Sequence, residues 1–547
     1  MRKIICATSI FFLHLSLLGC DSDIFDVMNS RKNIVIQYFA LYKLLTNPTN
    51  PEPGSCNSIS QYGITWTFDK EYQYGQFANG DYWVLGPVKV IGIDPQSVPT
   101  DGVTDANGFT PGHGSGWNTR TMNGAMINPS SRQGFDSELG AWVPGSGKLY
   151  SSNYDANYNV AKNISIDNPL IVQNGNSLFS TVSYLQGTRP QLSDAAVLTV
   201  LDSAPPKGSF RPPYAGTDKT VRFNLSDIRY EILPSLPLSG ITTTMYFGGS
   251  SVVAQMKRPH VEWYGDRSGW TQYISPVNNM PGYGRQYQIL ISEASAMLIS
   301  DSTDLSNIYG VTKEDLAIGI IQTAIDLYAL VKQNKYWGAG GNLNHGRKWP
   351  ILFAGLLLND ADMKNISSYP FIPVTPSNGA DITNPFAEEQ THFYVSQSQI
   401  NATHVPYWGD QSHSPYVGPD YRVTAIPYTS TDLELPEWGI DNTTVMTADN
   451  NNWATLYRQE CGCGICGYVL AALAISGAKA LYNKPEFFDY CDRYMTVTTK
   501  NTSDRQWSRF CEQMWDAYRA DYGLGYVSVL GGVRQYETPS LSNGIIK

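Results

Sequence analysis

The segment KEDLAIGIIQTAIDLYALVKQ, residues 313–333, decides the fold predicted for the second half of this chain. Its apolar residues recur at the i, i+3, i+4, i+7 spacing of an α-helix. From Ile318 to Val331 they cover almost the whole circumference. A helix that is apolar all round is packed on all sides. The segment therefore predicts an inner helix of a large helical domain.

The same period returns in other segments beyond about residue 280, whereas residues 62–215 show a different pattern. There, short runs of Val, Ile, Tyr and Trp alternate with Gly, Asn, Asp and Pro, which is typical of strands and turns. The sequence predicts a β-sandwich domain over residues 61–215 and an α/α-toroid domain over residues 216–547. The Pro/Gly-rich segment 203–219 reads as a hinge between them.

The N-terminus, MRKIICATSIFFLHLSLLGCDSD, has the features of an export signal. Two basic residues precede an apolar run of about fifteen residues, which is too short to span a bilayer. The run ends in Leu-Leu-Gly-Cys20, which resembles a bacterial lipobox and implies lipidation of Cys20. We expect a signal peptide over residues 1–20, a tether over residues 21–60, and an exported protein whose only membrane contact is that lipid anchor. An ordinary secretory signal with an incidental cysteine is the alternative.

The amino-acid composition indicates which classes of binding partner to expect. The net charge is −10 and no basic block occurs, so nucleic acid is not an expected partner. Aromatic residues make up 12% of the chain, with 35 Tyr and 13 Trp. This excess suits a sugar-binding cleft, because the C–H face of a pyranose stacks on an aromatic ring, but it also suits any large β-rich protein.

The most distinctive polar motif is NLNHGRKWPILFAG, residues 342–355. Asn344, His345 and Arg347 precede an apolar helix, whose N-terminus carries positive potential and favours anions. An amide can hydrogen-bond a carboxylate, and a guanidinium can bind a carboxylate through two parallel hydrogen bonds. A histidine takes up a proton near neutral pH. The set suits abstraction of the proton next to a carboxylate, the difficult step in β-elimination of a uronic-acid polysaccharide.

The adjacent Asn344-His345 resembles the Asn-His pair of α/α-toroid alginate lyases, and HGRKWPILFAG resembles a segment of heparinase II/III-type proteins. The resemblance covers about a dozen residues and the coarse architecture. It implies an Asn that neutralises the substrate carboxylate, a His and a Tyr that share acid and base work, and a supporting Arg. Those families usually place the β domain after the toroid, so the order here departs from theirs.

No motif locates the tyrosine. The candidates are Tyr394, Tyr283 and Tyr407, and Arg285 lies close enough in sequence to Tyr283 to lower the pKa of its phenol if the two side chains converge. A second polar-aromatic cluster, RPHVEWYGDRSGWTQYISP, offers His260 and Trp263 as one sugar subsite, with a domain interface as the alternative.

Four acidic residues favour a different class of enzyme, a glycoside hydrolase. Glu388, Glu389, Asp410 and Glu437 lie in long segments between the predicted helices, and two of them facing a sugar would suit a glycoside hydrolase. Glu437 beside Trp438 is the most site-like of these, because an acidic residue next to an indole suits a sugar subsite.

The sequence lacks the motifs of several other classes of enzyme. The sequence holds no P-loop, no G-x-S-x-G elbow and no H-E-x-x-H zinc motif, and we expect neither a cofactor nor a metal. Three functions remain. The first is an exported lyase acting on an acidic polysaccharide, with His345, Asn344 and a tyrosine (Tyr394 or Tyr283) as catalytic residues and Arg347, His260, Trp263 and Arg285 binding substrate. The second is a hydrolase using Glu437, and the third is a glycan-binding lipoprotein without activity.

Overall fold

A computed structural model describes most of the chain beyond residue 52, and residues 50–547 form one compact unit. The described residues are 53–97, 120–129, 132–137, 139, 154–183, 192–262, 273–274, 286–338, 344–375, 381–402, 428–437, 462–498 and 508–537. The predicted signal peptide, Cys20 and most of the predicted tether lie outside them. Within these ranges no helix has the length and apolar content that a membrane span needs.

A mixed sheet of eight strands dominates the first half of the described chain. The strands are β1 (Gly54–Gln61), β2 (Ile64–Gln76), β3 (Tyr82–Leu85), β4 (Val88–Asp94), β5 (Ala125–Ile127), β6 (Leu170–Val172), β7 (Asn176–Ser183) and β8 (Leu192–Leu201). Their order is β5-β7-β8-β3-β2-β4-β6, with β1 paired to β2. The pairing of β3 with β8 is parallel, and the other pairings are antiparallel.

The sheet curls into a nearly closed, barrel-like form. In the strand order β8 and β3 separate β7 from β2, yet Trp66 Nε1 on β2 donates a 3.0 Å hydrogen bond to Ser180 Oγ on β7. That bond therefore crosses the interior. Side chains alternate between two cores as the period of a strand requires: Leu178 packs with the interior cluster, and its neighbour Phe179 packs with the helical core.

Twelve α-helices occur in the described residues after the sheet, most of them short. They are α1 (Gly249–Lys257), α2 (Gln286–Leu298), α3 (Ser302–Tyr309), α4 (Lys313–Lys332), α5 (Lys348–Leu357), α6 (Ala361–Lys364), α7 (Ala387–Gln390), α8 (Gln397–Ala402), α9 (Cys466–Ala474), α10 (Ala478–Tyr482), α11 (Pro485–Val497) and α12 (Arg509–Tyr518). Two small antiparallel sheets pair β9 (Val261–Glu262) with β10 (Tyr273–Ile274) and β11 (Gly525–Leu530) with β12 (Val533–Glu537). Short 3-10 helices also occur in the described residues.

Helix α2 occupies the centre of the helical region. All thirteen of its residues are buried, and it packs against α9, α4 and α1. Helix α4 begins at a capping box in which Thr312 and Asp315 each bond the other's backbone N–H. Between Leu316 and Val331 every residue of α4 except Ile325 is buried, as its largely apolar pattern predicts. The helices share one core with the outer face of the sheet.

An ion-pair network joins the sheet to this helical core. The Arg211 guanidinium donates to Asp81, just before β3, at 2.6 Å and to both carboxylate oxygens of Asp326 on α4 at 3.1 and 2.6 Å. All three residues are buried. The Tyr214 amide donates to the same Asp326 carboxylate at 3.0 Å. The segment 203–219, which the sequence suggested was a hinge, thus contains a buried clamp between the two halves.

The predicted architecture of a β-sandwich followed by a large α/α toroid is wrong. The strands form one nearly closed, barrel-like mixed sheet, and the helices form a modest region rather than a large toroid. The apolar period correctly indicated burial of segments such as 313–333. Burial does not specify arrangement, however, and here the helices surround one central helix, α2, which is buried on all sides.

Candidate functional site

The turn formed by residues 344–347 lies directly before α5. Gly346 has φ +91°, in the left-handed region that favours glycine. A Cβ at this position would also lie 3.1 Å from the Gln288 Cα on α2. Glycine is therefore required by both backbone conformation and space. The turn presses Asn344, His345 and Arg347 into the core, where at most 1% of each residue is exposed.

The hydrogen bond of His345 identifies its neutral tautomer. Thr391 Oγ1 lies 3.2 Å from His345 Nε2 and 2.8 Å from the Ala387 carbonyl oxygen. A hydroxyl has one proton, and the carbonyl can only accept, so Thr391 donates to Ala387 and accepts from His345. Nε2 therefore carries the hydrogen. In the neutral imidazole, Nδ1 then holds the lone pair that can take up a proton.

The short helix α7 holds the same turn at a second point. Glu388 Oε1 accepts a 2.7 Å hydrogen bond from the backbone N–H of Gly346. Glu388 and Thr391 are three residues apart, so they face the same way along one helical turn. Together they fix the backbone after His345 and the ring of His345 itself. Residues 386–394 thus orient the turn of residues 344–347, although more than forty residues of sequence separate the bonded pairs.

Glu388 is a fully buried carboxyl group. Its burial raises the pKa to about 7, and the Gly346 N–H and the Lys348 charge oppose this shift only in part. Lys348 is also buried; its ammonium is bonded to Glu389 and to the Tyr482 carbonyl, and desolvation lowers its pKa. A carboxyl with a pKa near 7 exchanges its proton in the range where many enzymes work.

Arg347 and His260 both contact the ring of Tyr287. The Arg347 guanidinium carbon lies 3.6 Å from the ring centroid of Tyr287, which is cation–π geometry, and Arg347 Nη1 donates to the His345 carbonyl at 3.2 Å. The His260 ring packs edge-on against Tyr287, with centroids 5.4 Å apart. Arg347 and His260, which were predicted from separate motifs to bind substrate, therefore both contact one side chain of α2.

Asn344 has part of its amide available for binding. Its Nδ2 donates to the Gly338 carbonyl, which leaves the second amide hydrogen, and its buried Oδ1 has no hydrogen-bond partner in the described structure. A buried amide oxygen without a partner is costly in free energy. Asn344 therefore has one donor and one acceptor that a bound molecule could satisfy.

Aromatic side chains enclose the far side of His345. Its ring packs edge-on against Phe393 at 6.0 Å, and Phe393 contacts Phe487 at 5.1 Å and Tyr490 at 5.5 Å. These rings exclude water, so the local dielectric is low and electrostatic interactions are strong. Their packing also holds the His345 ring in one orientation.

Two other predicted catalytic residues, Tyr394 and Glu437, contact side chains that do not belong to the turn. Tyr394 follows Phe393 but stacks on His392 at 5.9 Å, and the Arg534 guanidinium lies 5.5 Å from its ring centroid. Glu437 is buried and paired with Arg493 at 3.1 Å.

Several predicted residues lie outside the described part of the chain. They are Tyr283, Arg285, Trp263, Trp438, Tyr407 and Asp410. Sequence reasoning did not assign roles at the turn to Glu388, Thr391 and Tyr287. Glu388 appeared only as one of several loop carboxylates, and its place beside Gly346 follows from a contact between distant segments. Tyr287 carries no local signal beyond its position in the apolar period of α2.

Within the described ranges, no group of three or more His, Cys, Asp or Glu side chains is arranged to hold a metal ion. Comparison of the chain with protein-family models, curated proteins and solved structures finds no match. The function must therefore be argued from the site itself.

Proposed function

We propose that this protein is an exported polysaccharide lyase that cleaves a uronic-acid-containing polysaccharide by β-elimination. The observation that carries the proposal is the Nε2–H tautomer of His345, set by Thr391. It leaves Nδ1 as the basic atom of a side chain next to an amide and a guanidinium. Those are the three groups that removal of a proton next to a carboxylate requires.

In the proposed reaction, His345 Nδ1 takes the proton from C5 of the uronic acid. The C5–H electron pair forms the C4=C5 double bond, and the C4–O bond breaks. The remaining amide hydrogen of Asn344 and the charge of Arg347 stabilise the negative charge that develops on the carboxylate during this step. A low-dielectric site of this kind makes such stabilisation stronger than it would be in water.

Among the tyrosines that the structure describes, Tyr287 is our candidate for the group that protonates the leaving oxygen. Its ring lies against Arg347, which follows the Asn344-His345 pair by two residues. A cation close to a phenol stabilises the phenolate that remains after proton donation. Tyr394, by contrast, lies against Arg534 and His392.

The buried state of the turn adds one requirement. Asn344 and His345 have no exposed surface, so the residues that cover them must separate when a sugar binds. Closure of a site over its substrate excludes water, a common feature of enzymes that stabilise developing charge.

One observation favours a second candidate, a glycoside hydrolase. Glu388, with its pKa raised to about 7 by burial, is protonated over much of the neutral range, as a general acid must be. Glu437, paired with Arg493, is less suited to that chemistry. A hydrolase needs a second carboxylate facing the sugar, and Glu389 beside Glu388 is bonded to Lys348.

Ultraviolet absorbance during incubation with a panel of uronic-acid polysaccharides separates the two reactions. Elimination produces a conjugated double bond, whereas hydrolysis produces new reducing ends without one. We expect absorbance to rise on at least one acidic polysaccharide. New reducing ends without absorbance would replace the lyase with the hydrolase, and neither signal on any member would remove the support for catalysis.

A further inference from the structure

Glu293, near the middle of α2, is a buried carboxyl group without a cation beside it. Among the described residues, nine acidic residues are buried, and all of them except Glu293 and Glu388 form an ion pair with an arginine. The paired residues are Asp81, Asp136, Asp326, Glu437, Asp489, Asp492 and Glu512. Because an unpaired carboxylate is costly to bury, Glu293 needs another source of stabilisation.

Three hydrogen-bond donors surround the Glu293 carboxyl. Oε1 accepts from the Tyr246 backbone N–H at 2.6 Å, and Oε2 accepts from the Phe247 backbone N–H at 3.2 Å. The Ser508 hydroxyl bonds the same carboxyl, while its oxygen accepts from the Cys511 N–H at the start of α12. Each carboxylate oxygen thus holds one backbone amide. A proton on either oxygen turns that acceptor into a donor and weakens one of the two amide bonds, because bonds to an ionised acceptor are about twice as strong.

Glu293 takes up a proton near neutral pH. Burial raises its pKa to about 7, and the Ser508 hydroxyl and the two backbone amides oppose this shift only in part. The Tyr309 phenol of α3 lies close enough for its own pKa to be raised by burial, by the Cys511 thiol and by the Glu293 charge. Other titratable groups on the elements packed against α2 include the Lys257–Asp315 pair of α1 and α4, the Asp326–Arg211 pair of α4, the Arg509–Glu512 pair of α12, and Cys466 and Tyr468 of α9.

The two amides bonded to Glu293 begin a segment that packs along α2. We call residues 246–260 the α1 strap, because α1 forms most of it and packs directly on α2. At the start of the strap, the Tyr246 hydroxyl also accepts a 3.2 Å hydrogen bond from Gln286 Nε2, at the first residue of α2. At its end, the His260 ring packs edge-on against Tyr287 of α2. The α1 strap therefore contacts α2 at both of its ends.

We propose that the α1 strap is a pH-sensitive cover, which ionised Glu293 holds on α2 and which loosens when Glu293 takes up a proton. Its last residue, His260, packs against Tyr287, which is buried and which lies against Arg347. Loosening of the strap thus exposes one side of the residues that a sugar must reach. The effect on turnover rests on the proposed function, but the strap and its response to pH do not.

Hydrogen exchange of the Tyr246 and Phe247 backbone amides tests the strap in the full chain without any substrate. Exchange rates at pH 8 and at pH 5.5 are each compared with the intrinsic rate at that pH, which gives a protection factor. In wild type we expect the protection factor to fall by about 5-fold to 10-fold from pH 8 to pH 5.5, as the charge-assisted bonds weaken. Glu293→Gln cannot ionise and should show the low value at both pH values. Glu388→Gln removes the other buried carboxyl without an arginine partner, and this matched control should behave as wild type.

Ser508→Ala provides a second test that does not depend on the folding of Glu293→Gln. It removes one donor that stabilises the ionised carboxyl, so the midpoint of the pH dependence should rise by about one pH unit. The proposal is overturned if the wild-type protection factor is the same at both pH values, if Glu293→Gln keeps the change or Glu388→Gln abolishes it, or if Ser508→Ala leaves the midpoint where it is. A lyase assay that fails would leave the exchange results intact and would count against the proposed function alone.

Discussion

Thr391 accepts a hydrogen bond from His345 and cannot donate one to it, because its own proton goes to the Ala387 carbonyl. One hydroxyl on the turn after α7 thereby selects the tautomer of a buried imidazole in a distant segment. In the proposed reaction, this places the basic lone pair on Nδ1. Tautomer selection by a second residue is a recurring requirement of catalytic histidines.

The first prediction concerns Thr391. Thr391→Val keeps the shape but removes the acceptor, so the His345 ring can adopt either tautomer. We expect kcat to fall by about 10-fold to 100-fold, within the range that general-base catalysis contributes. Thr391→Ser retains the hydroxyl and is the matched control. Equal kcat values for the two variants would show that the hydroxyl does not orient the base.

Arg347 provides the second prediction. Arg347→Lys keeps the charge but loses the planar group that lies on Tyr287 and that can bond a carboxylate at two points. We expect kcat/KM on an acidic polysaccharide to fall by about 10-fold or more, which corresponds to about 1.4 kcal/mol of transition-state binding. Arg222→Lys, at a partly exposed pair with Asp360, should leave kcat/KM unchanged. A wild-type value for Arg347→Lys would exclude a specific guanidinium contact.

The third prediction is a pH dependence of stability. Burial raises the pKa of Glu388 from 4.5 to about 7, so the folded protein binds a proton that the unfolded chain releases between these values. The contribution is fully present below pH 4.5 and is lost as the pH rises through 7. Glu388→Gln cannot ionise and keeps an oxygen for the Gly346 N–H. From pH 5 to pH 8 we expect the variant to gain about 2–3 kcal/mol of unfolding free energy relative to wild type.

Denaturant titrations at the two pH values measure this gain. A difference between Glu388→Gln and wild type that stays constant with pH would mean that Glu388 has an ordinary pKa.

Arg211 gives a prediction about the fold. Arg211→Met leaves Asp81 and Asp326 buried without their cation, and removal of one partner from a buried pair costs about 3–5 kcal/mol. The expected result is a large decrease in the free energy of unfolding. Arg229→Ala, at an exposed pair with Glu231, should leave the free energy of unfolding almost unchanged. Similar losses for the two variants would show that the clamp does not join the sheet to the helices.

The contacts of the 344–347 turn show which parts of the candidate site could be predicted from the sequence. Asn344, His345 and Arg347 lie within four residues, so their proximity was evident from the chain itself. Their partners Glu388 and Thr391 are 42 and 46 residues from Gly346 and His345, and no local pattern identifies such contacts. Only tertiary folding reveals which of several loop carboxylates is buried beside the turn.

The same limit applies to the architecture. The period of residues 313–333 predicted a helix packed on all sides, and α4 is that helix. The toroid was wrong because periodicity reports which faces are buried and not how helices are arranged. Likewise, the composition of residues 203–219 suggested a hinge, whereas Arg211 bonds partners 130 and 115 residues away.

The most direct test of the central claim is the rate of ultraviolet absorbance increase for wild type and His345→Ala on the same uronic-acid polysaccharide. His392→Ala, which changes an exposed histidine stacked on Tyr394, is the matched control. We expect wild type and His392→Ala to form the double bond at similar rates, and His345→Ala to be slower by about 10²-fold to 10⁴-fold while it remains folded. Absorbance that rises as fast with folded His345→Ala as with wild type would contradict the assignment of His345 as the base.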